Sequence, residues 1–149
     1  MRKVILMLLL TFVTNTAKAE SSKDYSMMGK IAWSAFECSS LASVAEDEKE
    51  QRRLFMIGYE QGKQFLDALI AKKINQSDLS SIVPSGFVML IEGPTPDFVL
   101  GRLFAATQEN ALDGVFVSEG KYNPKDLQKI IAERRFHERN CRLIGLTNK

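Results

Sequence analysis

The stretch 135–145, "RFHERNCRLIG", holds the only histidine of the chain, His137, four residues before one of its two cysteines, Cys141. Its reading decides how the chain is closed. On a continuous helix an i, i+4 pair shares one face, so His137 and Cys141 present three alternatives. They are part of a metal site, a nucleophilic dyad, or neighbours of a covalent staple. The other cysteine is Cys38, in "FECSSLA" (36–42). Which alternative holds depends on the compartment the chain enters.

The N-terminus bears on that compartment. "MRK" is a short basic start, and "VILMLLLTFV" (4–13) is an apolar run too short to span a bilayer as a helix. Ala17 and Ala19 flank Lys18 in "TNTAKAE". Together these form the n-region, h-region and A-x-A site of a secretory signal peptide, with cleavage expected after Ala19. The alternative is a retained membrane anchor, which the short run and the good cleavage site disfavour. No cysteine follows the run, so the lipoprotein acceptor is missing. The expected product is a periplasmic or secreted protein without a stable membrane anchor: residues 1–19 form the leader and 20–149 a single helical domain.

Export changes the charge balance. The chain has 20 Lys+Arg and 18 Asp+Glu; loss of Arg2, Lys3 and Lys18 leaves 17 basic and 18 acidic residues, a net charge of −1. No basic stripe of the kind nucleic acids require is present. In an oxidising compartment an even cysteine count favours a disulfide, here Cys38–Cys141. A loop of about 100 residues contributes roughly 4.7 kcal/mol in the chain-entropy model.

Periodicity fills in the rest. From Tyr25 to about Ala45, apolar residues at Met28, Ile31, Ala35, Cys38 and Ala42 follow the helical steps of three and four. Trp33 and Phe36 widen this face, and "ESSKD" (20–24) reads as a frayed start. The charge run "EDEKEQRR" (46–53) suits a solvated junction and the opening turn of a second helix that continues to about Lys73, its acids lying at the positive N-terminal end. Gly58 and Gly62, inside it, each cost about 1 kcal/mol relative to alanine, and so predict close approach by another helix. Polar residues interrupt this GxxxG spacing, which removes its membrane meaning.

Residues 75–87 read as a loop with one helical turn at 78–82. "FVMLI" (87–91) fits helix or strand by periodicity, and the scarcity of partner strands favours helix. Thr95 as N-cap with Pro96 at the first position opens a helix whose apolar side is Phe98, Leu100, Leu103, Phe104, Ala111 and Val115. "SEGKYN" (118–123) reads as a turn, and Asn123 as the cap of a last helix running through Cys141. The expected fold is all-α, a small bundle or orthogonal array of four to five helices with one disulfide.

Chemistry is sparse in this pattern. A zinc site needs three or four ligands, and with one histidine and no C-x-x-C none is expected. A Cys–His dyad needs a free thiolate, for which the disulfide competes. No G-x-S-x-G elbow or phosphate-binding loop occurs, and no cofactor is expected. Two surfaces remain. Gly58 and Gly62 could leave a shallow groove lined by Tyr59 and Glu60, although a plain surface position for Glu60 is the commoner outcome. The bend "EGPTPD" (92–97) makes Gly93, Pro94, Thr95, Pro96 and Asp97 an exposed rigid corner suited to a partner, and could set Glu92 and Asp97 near a site.

A leader, a first helix with "FECSSLA", a second helix with "GYEQG" (58–62) and a closing helix with Phe136 and Cys141 together resemble the small periplasmic immunity proteins of type VI secretion systems, of the Rap1a and Tai4 type. The resemblance spans about half the chain; the segment 92–106 matches none of the family's motifs. It implies a helical, disulfide-containing, non-enzymatic protein that dimerises or clasps an exported peptidoglycan amidase toxin with an exposed loop. The contrasting expectation is a chaperone or assembly component of an envelope complex. An enzyme would have to depend on His137.

Overall fold

The computed structural model describes residues 20–146; the expected leader, residues 1–19, lies outside them. Six α-helices follow one another among the described residues: α1 Ser22–Val44, α2 Glu48–Ile70, α3 Gln76–Ile82, α4 Ser85–Val88, α5 Pro96–Leu112 and α6 Lys125–Glu138. A 3-10 turn at Cys141–Leu143 follows α6. Four of the helices are long and two are short pieces of the connection between α2 and α5. The all-α fold is therefore as expected, and no described helix is long and apolar enough to cross a membrane.

The helix α1 starts earlier than its composition suggests. Ser21 accepts from the Asp24 amide at 3.2 Å, and Asp24 accepts from the Ser21 amide at 2.9 Å. This reciprocal capping box orders the stretch that reads as frayed. The buried face is also displaced. Gly29 and Ala32 are buried whereas Met28 and Ile31 are only partly so, and from Ala35 to Ala42 every residue is buried. That half of α1 is enclosed on several sides, because α2, α5, α6 and the C-terminal turn all pack against it. It is the axis of the fold.

The α1–α2 hairpin is antiparallel, and its register is set by complementary bulk. A Cβ on Gly58 would lie 2.6 Å from a Phe36 ring carbon, and one on Gly29 would lie 3.0 Å from Phe65. Between these, a Cβ on Gly62 would meet Ala32 Cβ at 3.4 Å and Leu100 of α5 at 2.5 Å. Each phenylalanine thus sits in the hollow left by a glycine of the facing helix. The glycines do admit close neighbours, and those neighbours fill the groove from inside. The prospective groove beside Glu60 is absent: Gly58 and Gly62 are buried while Glu60 is exposed.

Two apolar clusters line α1. One contains Phe36, Phe65, Phe87, Val99, Leu100 and Leu103. The other gathers Leu41, Leu54, Ala111, Val115, Ala132 and Phe136 around Cys38 and Cys141. The disulfide is present, with Cα atoms 5.6 Å apart across a sequence separation of 103.

The α1 end lies where expected, near Ala45, and several other boundaries differ, each for a local reason. Both α1 and α2 end in Schellman caps without glycine: Glu46 and Lys72 take the left-handed conformation at φ 62° and 57°. Asp47 N–H donates to Ala42 O and Lys73 N–H to Ala68 O, each at 2.9 Å. Of 87–91, only Phe87 and Val88 are helical. Within 118–123, Val117–Ser118 pairs with Lys121–Tyr122 in a minimal hairpin; positive φ at Glu119 and Gly120 supplies the primed turn such hairpins favour.

Asn123 does not cap α6. Its side chain donates to Val115 O at 2.8 Å and accepts from Ser118 Oγ at 2.6 Å, so it pins the hairpin, and Pro124 precedes the helix instead. On α5, Phe98 is 49% exposed and Val99 takes the inward position.

Candidate functional site

The corner before α5 and the middle of α2 meet. Thr95 Oγ1 accepts from the Phe98 amide at 3.2 Å, and Pro96 occupies the first helical turn, which fixes Asp97 at the start of α5. Tyr59 follows Gly58 on α2, where the Phe36–Gly58 contact sets the height of the helix. Its phenol donates to Asp97 Oδ1 at 2.9 Å. That hydrogen bond, and then the carboxylate's charge, push the Tyr59 hydroxyl above its ordinary value, so it stays a donor.

The rest of the corner is braced. Arg102 Nη1 donates to Glu92 O at 2.6 Å while its guanidinium lies 5.8 Å from the Phe98 ring centroid. A Cβ on Gly93 would come within 2.6 Å of the same ring. Gly93, Pro94, Thr95 and Asp97 are exposed and Pro96 is half-buried, an exposed and internally tied corner. Among the described residues no lysine or arginine forms an ion pair with Asp97. Glu92 contributes its backbone carbonyl here, and Glu60 does not line the cavity beside Tyr59.

That cavity, about 200 Å³, lies against the Tyr59–Asp97 pair and is lined also by Phe36, Phe55, Leu100, Gly101 and Phe104. Phe36, Phe55 and Phe104 form a triangle with ring centroids 5.3 to 5.8 Å apart. Their tilted and edge-on geometry is the one aromatic quadrupoles favour. Gly101 keeps the cavity open, since a Cβ there would meet nothing within 4 Å. Sequence reasoning singles out Tyr59 and Asp97 separately and misses the cavity that joins them. The signal available was Phe55 and Tyr59, one helical turn apart, opposite a helix with glycine three residues before Phe104.

His137 and Cys141 are separated structurally. The helix α6 ends at Glu138, and Asn140 turns left-handed at φ 53°, so Cys141 sits in the 3-10 turn beyond. His137 is exposed and makes no side-chain hydrogen bond among the described residues. Both cysteines are disulfide-bonded. Among the described residues no group of three or more His, Cys, Asp or Glu is placed to hold a metal ion.

One buried polar group also escapes sequence reasoning. Glu37, with a side chain 8% exposed, accepts from Arg139 Nη1 at 2.6 Å and from the Asn110 amide. It ties α1 to the ends of α5 and α6 beside the disulfide. A larger open cleft, about 860 Å³, runs between α1 and α5 past Ser40, Ser43, Ala105 and Gln108 to Phe116. Comparison with family models, with curated proteins and with solved structures finds no match for this chain.

Proposed function

We propose that this chain is an exported protein that acts by binding another protein rather than by catalysis, most concretely as an immunity protein that occludes a periplasmic cell-wall amidase toxin. The observation that carries the reading is the Tyr59–Asp97 junction. A rigid exposed corner and an adjacent aromatic cavity form one continuous recognition surface, held by a capped helix start and by the α1–α2 register. Such a surface needs no motion to present itself, which lowers the ordering cost of association. The disulfide supports an oxidising compartment, and it occupies both cysteines, either of which a Cys–His mechanism would need as a free thiolate.

Co-expression with amidase toxins directed to the periplasm tests the reading. Protection of the host is expected, together with co-purification of the toxin. Loss of both in a variant with a remodelled corner, such as Asp97→Arg, would tie them to this surface. Absence of protection, with capture of secretion or outer-membrane subunits from envelope extracts, would favour an assembly factor instead. His137→Ala is expected to leave protection intact.

A further inference from the structure

The cavity beside Asp97 has a chemistry of its own. It is lined by Phe36, Phe55, Tyr59, Leu100, Gly101 and Phe104, with the Asp97 carboxylate beside them, and a Cβ on Gly101 would meet nothing within 4 Å. We propose that it is a pocket for one cationic side chain, a lysine or arginine that a protein partner presents. The inference rests on the binding reading above and specifies what that surface recognises.

Three observations converge on a cation. Aromatic faces carry negative quadrupole density and attract ammonium or guanidinium groups, most strongly where water is displaced. Asp97 is bound on one side by the Tyr59 hydroxyl, yet no basic side chain among the described residues forms an ion pair with it. An apolar pocket rimmed by an unneutralised carboxylate is complementary to a guest with an apolar stem and a positive head, as lysine and arginine are. Arg102, one residue beyond Gly101, is engaged elsewhere, over Phe98 and on Glu92 O.

Size sets the class of occupant. At about 200 Å³ the cavity falls below the roughly 300–1,000 Å³ typical of small-molecule sites and suits a single amino-acid side chain. The exposed Gly93–Thr95 corner next to it supplies surface for the remainder of a protein partner.

The test uses the disulfide-bonded protein and defined probes, in an amide-detected NMR titration. The probes are N-acetyl-lysine methylamide, N-acetyl-arginine methylamide and the neutral isostere N-acetyl-norleucine methylamide. Saturable shifts are expected at Tyr59, Gly101 and Phe104 with the two cations, and binding of norleucine weaker by about two- to fivefold. Asp97→Asn, which keeps the Thr95 cap, should reduce that difference, leaving the part the aromatic rings supply. Gly101→Leu should abolish binding of all three, and its circular dichroism should match that of the parent.

Equal binding of norleucine and lysine, or no shift at these positions with any probe, would overturn the proposal. Neither result bears on whether the protein protects against a toxin, so the two readings fail separately. With a captured toxin in hand, the pocket reading further requires Gly101→Leu to weaken the complex.

Discussion

At the scale of single residues, identical substitutions at three glycines should have different signs. Gly58→Ala places a methyl group 2.6 Å from the Phe36 ring; displacing that ring should cost about 1–3 kcal/mol, partly offset by roughly 1 kcal/mol of helix propensity. Gly62→Ala meets Leu100 at 2.5 Å and should behave likewise. Gly101→Ala meets nothing within 4 Å and should stabilise by up to about 1 kcal/mol. Urea denaturation of the three variants reads these signs directly. The paired spacing of Gly58 and Gly62 predicts a close approach that lone Gly101 does not, but which side chain opposes each glycine is set by tertiary register.

Tyr59 offers a second check at this scale. Its hydroxyl ionises above the ordinary phenol value because Asp97 accepts its proton's hydrogen bond and adds negative charge. The linked stabilisation is therefore fully present below an unfolded phenol value of about 10 and is lost as pH rises through the higher folded value. NMR titration should show the Tyr59 ring signal titrating above the ordinary phenol range, and Asp97→Ala should bring it back. A Tyr59 signal unmoved by that substitution would contradict the contact.

At the scale of elements, legibility follows the kind of signal that marks a boundary. Thr95–Pro96 is readable because both residues act locally at a helix start. The starts at Ser21 and Lys125 are harder. Ser21 lies in a polar run whose capping box uses Asp24 where Glu or Gln is usual. Asn123 has the right residue type but spends its side chain on the hairpin. The helix ends at Glu46 and Lys72 carry no glycine, so only the loss of periodicity and the charged residues there place them, at about Ala45 and Lys73.

Those ends are correspondingly improvable. Lys72→Gly should relieve the left-handed strain and stabilise the protein by about 1 kcal/mol, visible as a raised melting temperature. Beyond the disulfide, one α2 side chain ties the segment after α6 through two hydrogen bonds. Arg53 donates to Ile144 O at 2.7 Å and to Cys141 O at 3.3 Å. Arg53→Met should speed amide exchange across residues 141–146 and leave α6 nearly unchanged.

For the whole molecule, α1 serves as a shared wall for two cores, and the disulfide and the Glu37–Arg139 pair close the second of them. Cys141→Ser should lower stability by about 2–5 kcal/mol, measured by urea unfolding of oxidised parent against variant; an unchanged midpoint would mean the link contributes nothing. Pairing of the cysteines was readable from their number together with the leader-like start. The burial of Glu37 beside them was not, since a carboxylate inside an apolar stripe acquires its partners only when α5 and α6 arrive.

The placement of the disulfide also fixes how the protein meets mechanical force and proteases. Cys38 and Cys141 lie 103 residues apart in sequence, so tension applied at the two termini passes through the sulfur atoms and bypasses most of the chain. Roughly 350 Å of contour length, at about 3.3–3.6 Å per residue, stays hidden until the link is reduced. A single protease cut at any peptide bond between the two cysteines likewise yields fragments that remain covalently joined, separable only under reducing conditions. A chain linked in this way survives one cleavage as a single molecule.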